Sequence, residues 1–230
     1  MSQGKGLCWK RLLAKSERLA RWARPYVPFT ELNTVSRKLD KRAWCILDVG
    51  CGQGEPMRFL NRHRRFWCVG VDIFGPSLRE CQASGAYCGL VLADASYLPF
   101  KDKSFDVVLC LALIEHLERM EGEKLLREME RIGRRQVIIS TPVGSYRQGA
   151  IGGNPHQRHR SIWLPAELRK MGYRVRGVGI RGVMGEGALF SRLARVIGAL
   201  RWVPWLLAGP VVYYLPNLAG TQVCWKRVGR

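Results

Sequence analysis

Three glycines at two-residue intervals, Gly50, Gly52 and Gly54, stand directly behind an apolar run, residues 46–49, that carries one acid, Asp48. A strand ending in such a turn lets backbone pass very close to a ligand. Glu55 fills the place of the third glycine in the G-x-G-x-x-G pattern of dinucleotide sites, where a carboxylate beside Asp48 repels a pyrophosphate. No Gly-Lys-Ser/Thr follows, which excludes a Walker phosphate loop. The pattern D-x-G-x-G-x-G instead suits a ligand with a cationic centre and no phosphate. Asp72 lies 18 residues beyond Gly54, where a carboxylate can accept both hydroxyls of a ribose; capping the next helix is its competing task. Asp94 closes a third apolar run. His116 reads equally as a general base or as a hydrogen-bonded structural group, and Glu115 beside it as a helix N-terminal charge. His156 and His159, flanked by Arg158 and Arg160, suit substrate binding or proton transfer. With no Cys or acidic cluster beside them, no metal centre is expected.

These groups act together only if they sit on one edge of a sheet. Apolar runs at 46–49, 66–72, 87–93, 107–111, 136–141, 174–180 and 221–226 predict seven strands. Helical spacing fills the gaps: residues 57–62 after the glycine turn, a helix opening near Pro76 and Ser77, and residues 117–132 with Gly133 as the C′ glycine. Strand, glycine turn and helix form a nucleotide-binding crossover unit, and ligands of open α/β sheets bind at the carboxyl ends of the strands.

The glycine pattern closely resembles the first motif of class I S-adenosylmethionine-dependent methyltransferases, type 11-like. Residues 98–106, LPFKDKSFD, closely resemble that family's LPF-x-D-x-S-F-D stretch, and Trp163 to Leu168 followed by Gly172-Tyr173 resembles its late segment. The resemblance covers about residues 44–181. It implies a Rossmann-like, doubly wound, mostly parallel seven-stranded sheet, with S-adenosyl-L-methionine as cofactor. It assigns Gly50, Gly52 and Gly54 to admitting the cofactor, Asp48 to supporting the turn or reaching the methionine ammonium through water, and Asp72 to ribose. Asp94 receives the adenine amino group and the Ala95 backbone N–H a ring nitrogen; Cys51, Ile73 and Leu111 complete the cofactor site. His116 and His159 are the candidate catalytic groups. Asp106 reads as fixing the turn into the fourth strand.

The net charge of +20 is unevenly spread. Residues 46–146 hold 13 Lys/Arg against 13 Asp/Glu, so the core is neutral and the excess lies in the flanks. That points to an anionic partner: lipid headgroups, RNA or an acidic small molecule. Residues 1–43 read as a basic helical segment, with an amphipathic helix over 7–24, and residues 44–230 as the methyltransferase domain. An apolar insert at about 183–217 precedes the last strand. Its longest run, 202–215, is shorter than the ~20 residues of a spanning helix and holds Pro204 and Pro210. A lid, an interface or a membrane contact fits it better. Eight cysteines without C-x-x-C spacing, and no signal-peptide run, suggest a reduced, cytoplasmic protein, with peripheral attachment at the inner membrane surface as the further reading. The expected acceptor is a small or lipid-like molecule, with RNA or a non-catalytic binding module as alternatives. An N/D-P-P-F/Y signature is missing after the fourth strand, where the chain reads Cys110-Leu111-Ala112-Leu113, which disfavours methylation of a base amino group.

Overall fold

The computed structural model describes residues 26–144, 154–181 and 202–229. The expected helix at 7–24 and the first part of the insert lie outside them, as do residues 145–153 of the basic loop. At the centre is β1 (Cys45–Val49), buried at every position because both faces of the sheet are covered. It pairs in parallel with β2 (Trp67–Asp72) on one side and β4 (Phe105–Leu111) on the other. The sheet continues outward through β3 (Gly89–Leu92) beyond β2 and β5 (Gly133–Pro142) beyond β4. β7 (Ala219–Arg227) enters antiparallel between β5 and β6 (Arg174–Ile180). The order β3-β2-β1-β4-β5-β7-β6 is the expected doubly wound, mostly parallel seven-stranded sheet.

Alternation along the strands divides the core into two layers. Leu47, Val49, Val69, Val71, Val108 and Val137 pack with Leu125 and Met129 of α4 (Arg119–Ile132) and Leu168 of α5 (Pro165–Lys170). Ile46, Cys68, Val107, Leu109 and Ile138 pack on the other face with Val35 of α1 (Glu31–Lys38) and Met57 and Leu60 of α2 (Glu55–Leu60). A smaller cluster joins Cys51 to Leu78 and Cys81 of α3 (Gly75–Gln82). Each fully buried Val, Leu or Ile contributes about 1.5–3 kcal/mol, so the two layers supply the main stabilisation. Seven cysteines among the described residues are free thiols.

Two local readings change. The helix after β4 does not start at Leu117: residues Ile114–His116 form a 3-10 turn, and α4 starts at Arg119 behind a Glu118–Glu121 capping box. Glu115 is therefore a buried group of the turn and not a charge at the helix start. Gly133 is not a left-handed C′ residue either. Its φ of −72° and ψ of 131° carry the chain directly into β5, and a Cβ there would meet Met129 O at 3.0 Å. Asp106 bonds as expected of a structural group: Oδ2 accepts from the Trp44 and Cys45 N–H groups, and Oδ1 from Arg134.

The described part of the insert is a helix, α6 (Trp202–Tyr214), which continues through Pro210. It lies against β6 at Gly177, where a Cβ would come within 2.3 Å of Val212 O. Arg176 and Lys38 set their cationic heads over Tyr213, at 5.4 and 5.9 Å from the ring centre. Among the described residues no helix is long and apolar enough to cross a membrane.

Candidate active site

The strand order reverses between β1 and β4, and a cleft opens at the carboxyl ends of the strands around that point. Its first wall is the glycine turn. Gly50, Gly52 and Gly54 have φ of 76°, 51° and 77°, a conformation that strains any side-chain-bearing residue. A Cβ at Gly50 would lie 2.9 Å from Leu113 Cδ2, and one at Gly54 2.8 Å from Cys81 Sγ, whereas Gly52 faces open space. The Gly50 and Cys51 N–H groups donate to Val71 O, and the Gly52 N–H donates to Asp72 Oδ2 at 2.8 Å. Asp72 Oδ1 accepts from Phe74 N–H at 2.8 Å, so two backbone donors aim the carboxylate. Each oxygen keeps a second lone pair for a further donor.

Asp94, just past β3, is oriented by the Ser96 N–H at 2.7 Å. Gly50, Asp72, Ile73, Asp94, Ala95 and His116 line one cavity, together with Leu113, Leu117, Glu121, His156 and Arg160. Asp48, Cys51, Gly52, Gly54 and Leu111 are not among the residues that line it. Asp48 is buried and accepts from Tyr87 Oη at 2.6 Å. Burial drives its pKa up to about 6 against the lowering effect of Tyr87, and Asp72 adds to the rise. Burial also holds Cys51 as a thiol, packed on Cys81. Leu111 belongs to the second core layer.

The opposite wall is the 3-10 turn. His116 is mostly buried, and its Nδ1 lies 3.2 Å from Arg158 O. A carbonyl only accepts, so Nδ1 carries the proton and Nε2 the lone pair. Burial lowers the His116 pKa, and His159 adds to the lowering, which keeps the ring neutral at pH 7. The His159 ring stands edge-on to it at 4.9 Å. Glu115 is 3% exposed, and burial raises its pKa to about 8. The Thr141 hydroxyl is near enough to oppose that rise, yet Thr141 Oγ1 and Glu115 Oε2 each lack a partner in hydrogen-bonding geometry.

Sequence spacing thus brought out the glycine turn, Asp72 and Asp94, three groups tied to strand ends. It passed over Leu113, Leu117, Glu121 and Thr141 as parts of the site. Only the apolar residues flanking Ile114 to His116 hinted at a wall there.

Residues 47–140 match a family model described as a methyltransferase domain. Ajmaline N-methyltransferase of Rauvolfia serpentina is 33% identical over 40% of this chain and 33% of its own length. A mouse protein named "Probable tRNA methyltransferase 9B" is 28% identical over 38% of this chain and 19% of its own. The matched stretch thus spans a third or less of these relatives. Magnesium protoporphyrin IX methyltransferase of Synechocystis PCC 6803, solved with S-adenosylmethionine bound, shares the fold at a TM-score of 0.54 and 16% identity, over 91% of this chain and 90% of that one. Fold and domain match together define an α/β protein of the class I methyltransferase type. Residues 47–140 are therefore similar to a methyltransferase domain, and the sheet has the class I methyltransferase fold.

Proposed function

We propose that this protein transfers a methyl group from S-adenosylmethionine to a small or lipid-like acceptor. The observation that carries the reading is the convergence of Gly50, Asp72 and Asp94, from the ends of β1, β2 and β3, on one cavity. The residues fit the cofactor. A Cβ at Gly50 would close the cradle, and Asp72 and Asp94 offer acceptor lone pairs to ribose hydroxyls and an adenine amino group. The Ala95 N–H is the partner for a ring nitrogen, Ile73 covers the adenine, and Gly52 and Gly54 hold the turn open beside it. Asp48, bonded to Tyr87, braces the turn from behind, while Cys51 and Leu111 support the wall by packing.

When bound, the cofactor supplies a methyl group already activated by its sulfonium. The chain's task is to align an acceptor with it and exclude water. Leu113 and Leu117 give the acceptor side an apolar wall, and His156 and Arg160 give it a basic rim. The neutral His116 ring lies where a proton leaving the acceptor would go, with His159 behind it.

A lipid-like acceptor is favoured by one further feature. Leu206, Leu207, Val211, Tyr214, Leu215 and Leu218 are exposed along α6 and the turn after it, on a molecule of net charge +20. We read this face as a reversible contact with an anionic membrane from which the acceptor is drawn. RNA is the second reading, favoured by the same charge. Incubation of the protein and a cell extract with methyl-labelled S-adenosylmethionine tests both. Label should enter the organic-solvent fraction. Label in RNA would select the second reading, and label in neither fraction nor in water-soluble small molecules would count against transfer itself.

A further inference from the structure

Three side chains from two separate stretches of chain meet beside the cofactor cavity. Glu115, His116 and His159 each offer a ligand atom, and these atoms lie within 4.8 Å of one another. The first two come from the 3-10 turn after β4, the third from the segment leading into α5. Backbone bonds clamp the two stretches together. The Arg160 and Ser161 N–H groups donate to Glu115 O at 2.8 and 3.1 Å, and Ser161 Oγ and Trp163 Nε1 donate to Ile114 O at 3.0 and 3.3 Å. The juxtaposition is thus built into the fold beneath the buried Trp163.

Glu115 supplies the second observation. It is 3% exposed, its Oε2 has no hydrogen-bond partner, and among the described residues no Lys or Arg makes an ion pair with it. A buried carboxylate without a counter-charge is costly, and a cation would remove that cost. His116 supplies the third. A Nδ1–H bonded to a backbone carbonyl leaves Nε2 as the ligating nitrogen, the usual arrangement of a metal-bound histidine.

We propose that Glu115, His116 and His159 bind one divalent transition-metal cation at the wall of the cavity. Two imidazoles and one carboxylate suit Zn²⁺, Co²⁺, Fe²⁺ or Mn²⁺ better than Mg²⁺ or Ca²⁺. Three protein ligands leave a coordination position free, and His116 lines the cavity, so that position opens toward the acceptor side. The role of the ion rests on the transfer reading. An acceptor oxygen or nitrogen bound there loses its proton more readily, and its lone pair is held facing the methyl group. His116 then acts as a ligand and not as the base.

The test uses tag-free protein stripped with chelator and then titrated with Co²⁺, Zn²⁺ or Mn²⁺ alone, with S-adenosylmethionine binding measured by calorimetry on the same preparation. The expected result is one ion per chain, with visible Co²⁺ bands of nitrogen and oxygen coordination. His159→Ala, at a partly exposed position, should lower metal affinity by at least about 100-fold and leave cofactor affinity within about twofold. Glu115→Gln should do the same, and if it fails to fold, His159→Ala decides. His63→Ala, remote from the cluster, should bind metal like the parent. Cofactor binding without stoichiometric metal, or metal affinity indifferent to His159→Ala, overturns the proposal and spares the transfer reading. Metal binding without cofactor binding supports the site and overturns the transfer reading.

Discussion

Asp48 and Asp72 lie on neighbouring strands at the glycine turn but differ in role. Asp48 is buried with a pKa raised to about 6, so the folded chain holds its proton more tightly than the unfolded chain, whose value lies near 3.8. Its contribution is most favourable below pH 4 and is lost as pH rises through 6, by roughly 3 kcal/mol at 1.36 kcal/mol per unit. Asp48→Asn still accepts from Tyr87 and does not ionise. Urea unfolding of both proteins from pH 4 to 7 should show the variant gaining about 2–3 kcal/mol on the parent across that range; a constant difference would contradict the burial argument. Asp72 works from the surface of the cavity. Asp72→Asn keeps one of the two oxygens that accept from the Gly52 and Phe74 N–H groups and loses the negative charge offered to ribose, so S-adenosylmethionine affinity should fall by roughly 1.5–3 kcal/mol, about 10- to 160-fold, by calorimetry. Unchanged affinity would remove Asp72 from the cofactor site. Asp72 and Asp94 were legible in sequence because each ends an apolar run at a countable distance from Gly54. The surroundings of Glu115 were not, because Thr141 and His159 reach it only through the fold, and a lone acid after a strand looks the same whether it caps a helix or is buried.

Elements were legible where burial on both sides of the sheet left an unbroken apolar run. β6 has the expected limits, and β1, β2, β4 and β7 differ by a residue or two at their ends. Junctions were harder. Gly133 carried a helix-ending signal, but the direct passage from α4 into β5 uses the missing side chain for close packing and not for a left-handed turn. The apolar, proline-containing stretch that became α6 gave no clear period because its residues are apolar all round. Gly177 is what seats it. Gly177→Ala would put a Cβ 2.3 Å from Val212 O and 2.8 Å from Ala219 Cβ, so α6 must shift from β6. Equilibrium unfolding should show a loss of about 1–3 kcal/mol. Gly89→Ala, in β3 with its nearest neighbour at 3.9 Å, should cost much less. Equal effects at the two positions would mean that the helix contact contributes little.

At the scale of the molecule, charge and apolar exposure lie outside the neutral core that carries the cleft. Leu207 and Tyr214 are 75% and 66% exposed, on the element packed against Arg176. If this face meets a membrane, the protein should float with vesicles containing anionic lipid and less with neutral ones. Binding should weaken with salt, since exposed charges are screened within about 8 Å at physiological ionic strength. Leu207→Asp with Leu215→Asp should abolish flotation without altering cofactor affinity. Equal binding to anionic and neutral vesicles would contradict the electrostatic part, and no binding to either would leave RNA or an acidic small molecule as the anionic partner. Composition and charge distribution pointed to an anionic partner, but the acceptor itself depends on side chains that converge only in three dimensions.

The glycine turn, with Glu55 at the start of α2 and Asp72 and Asp94 beside it, should accept a nucleoside with a sulfonium and no phosphate. Calorimetric titration of one preparation with S-adenosylmethionine, its demethylated product and NAD tests this most directly. The first two should bind with affinities on the order of micromolar, or about −8 kcal/mol, and NAD far more weakly. Tight NAD binding with no response to S-adenosylmethionine would overturn the cofactor assignment.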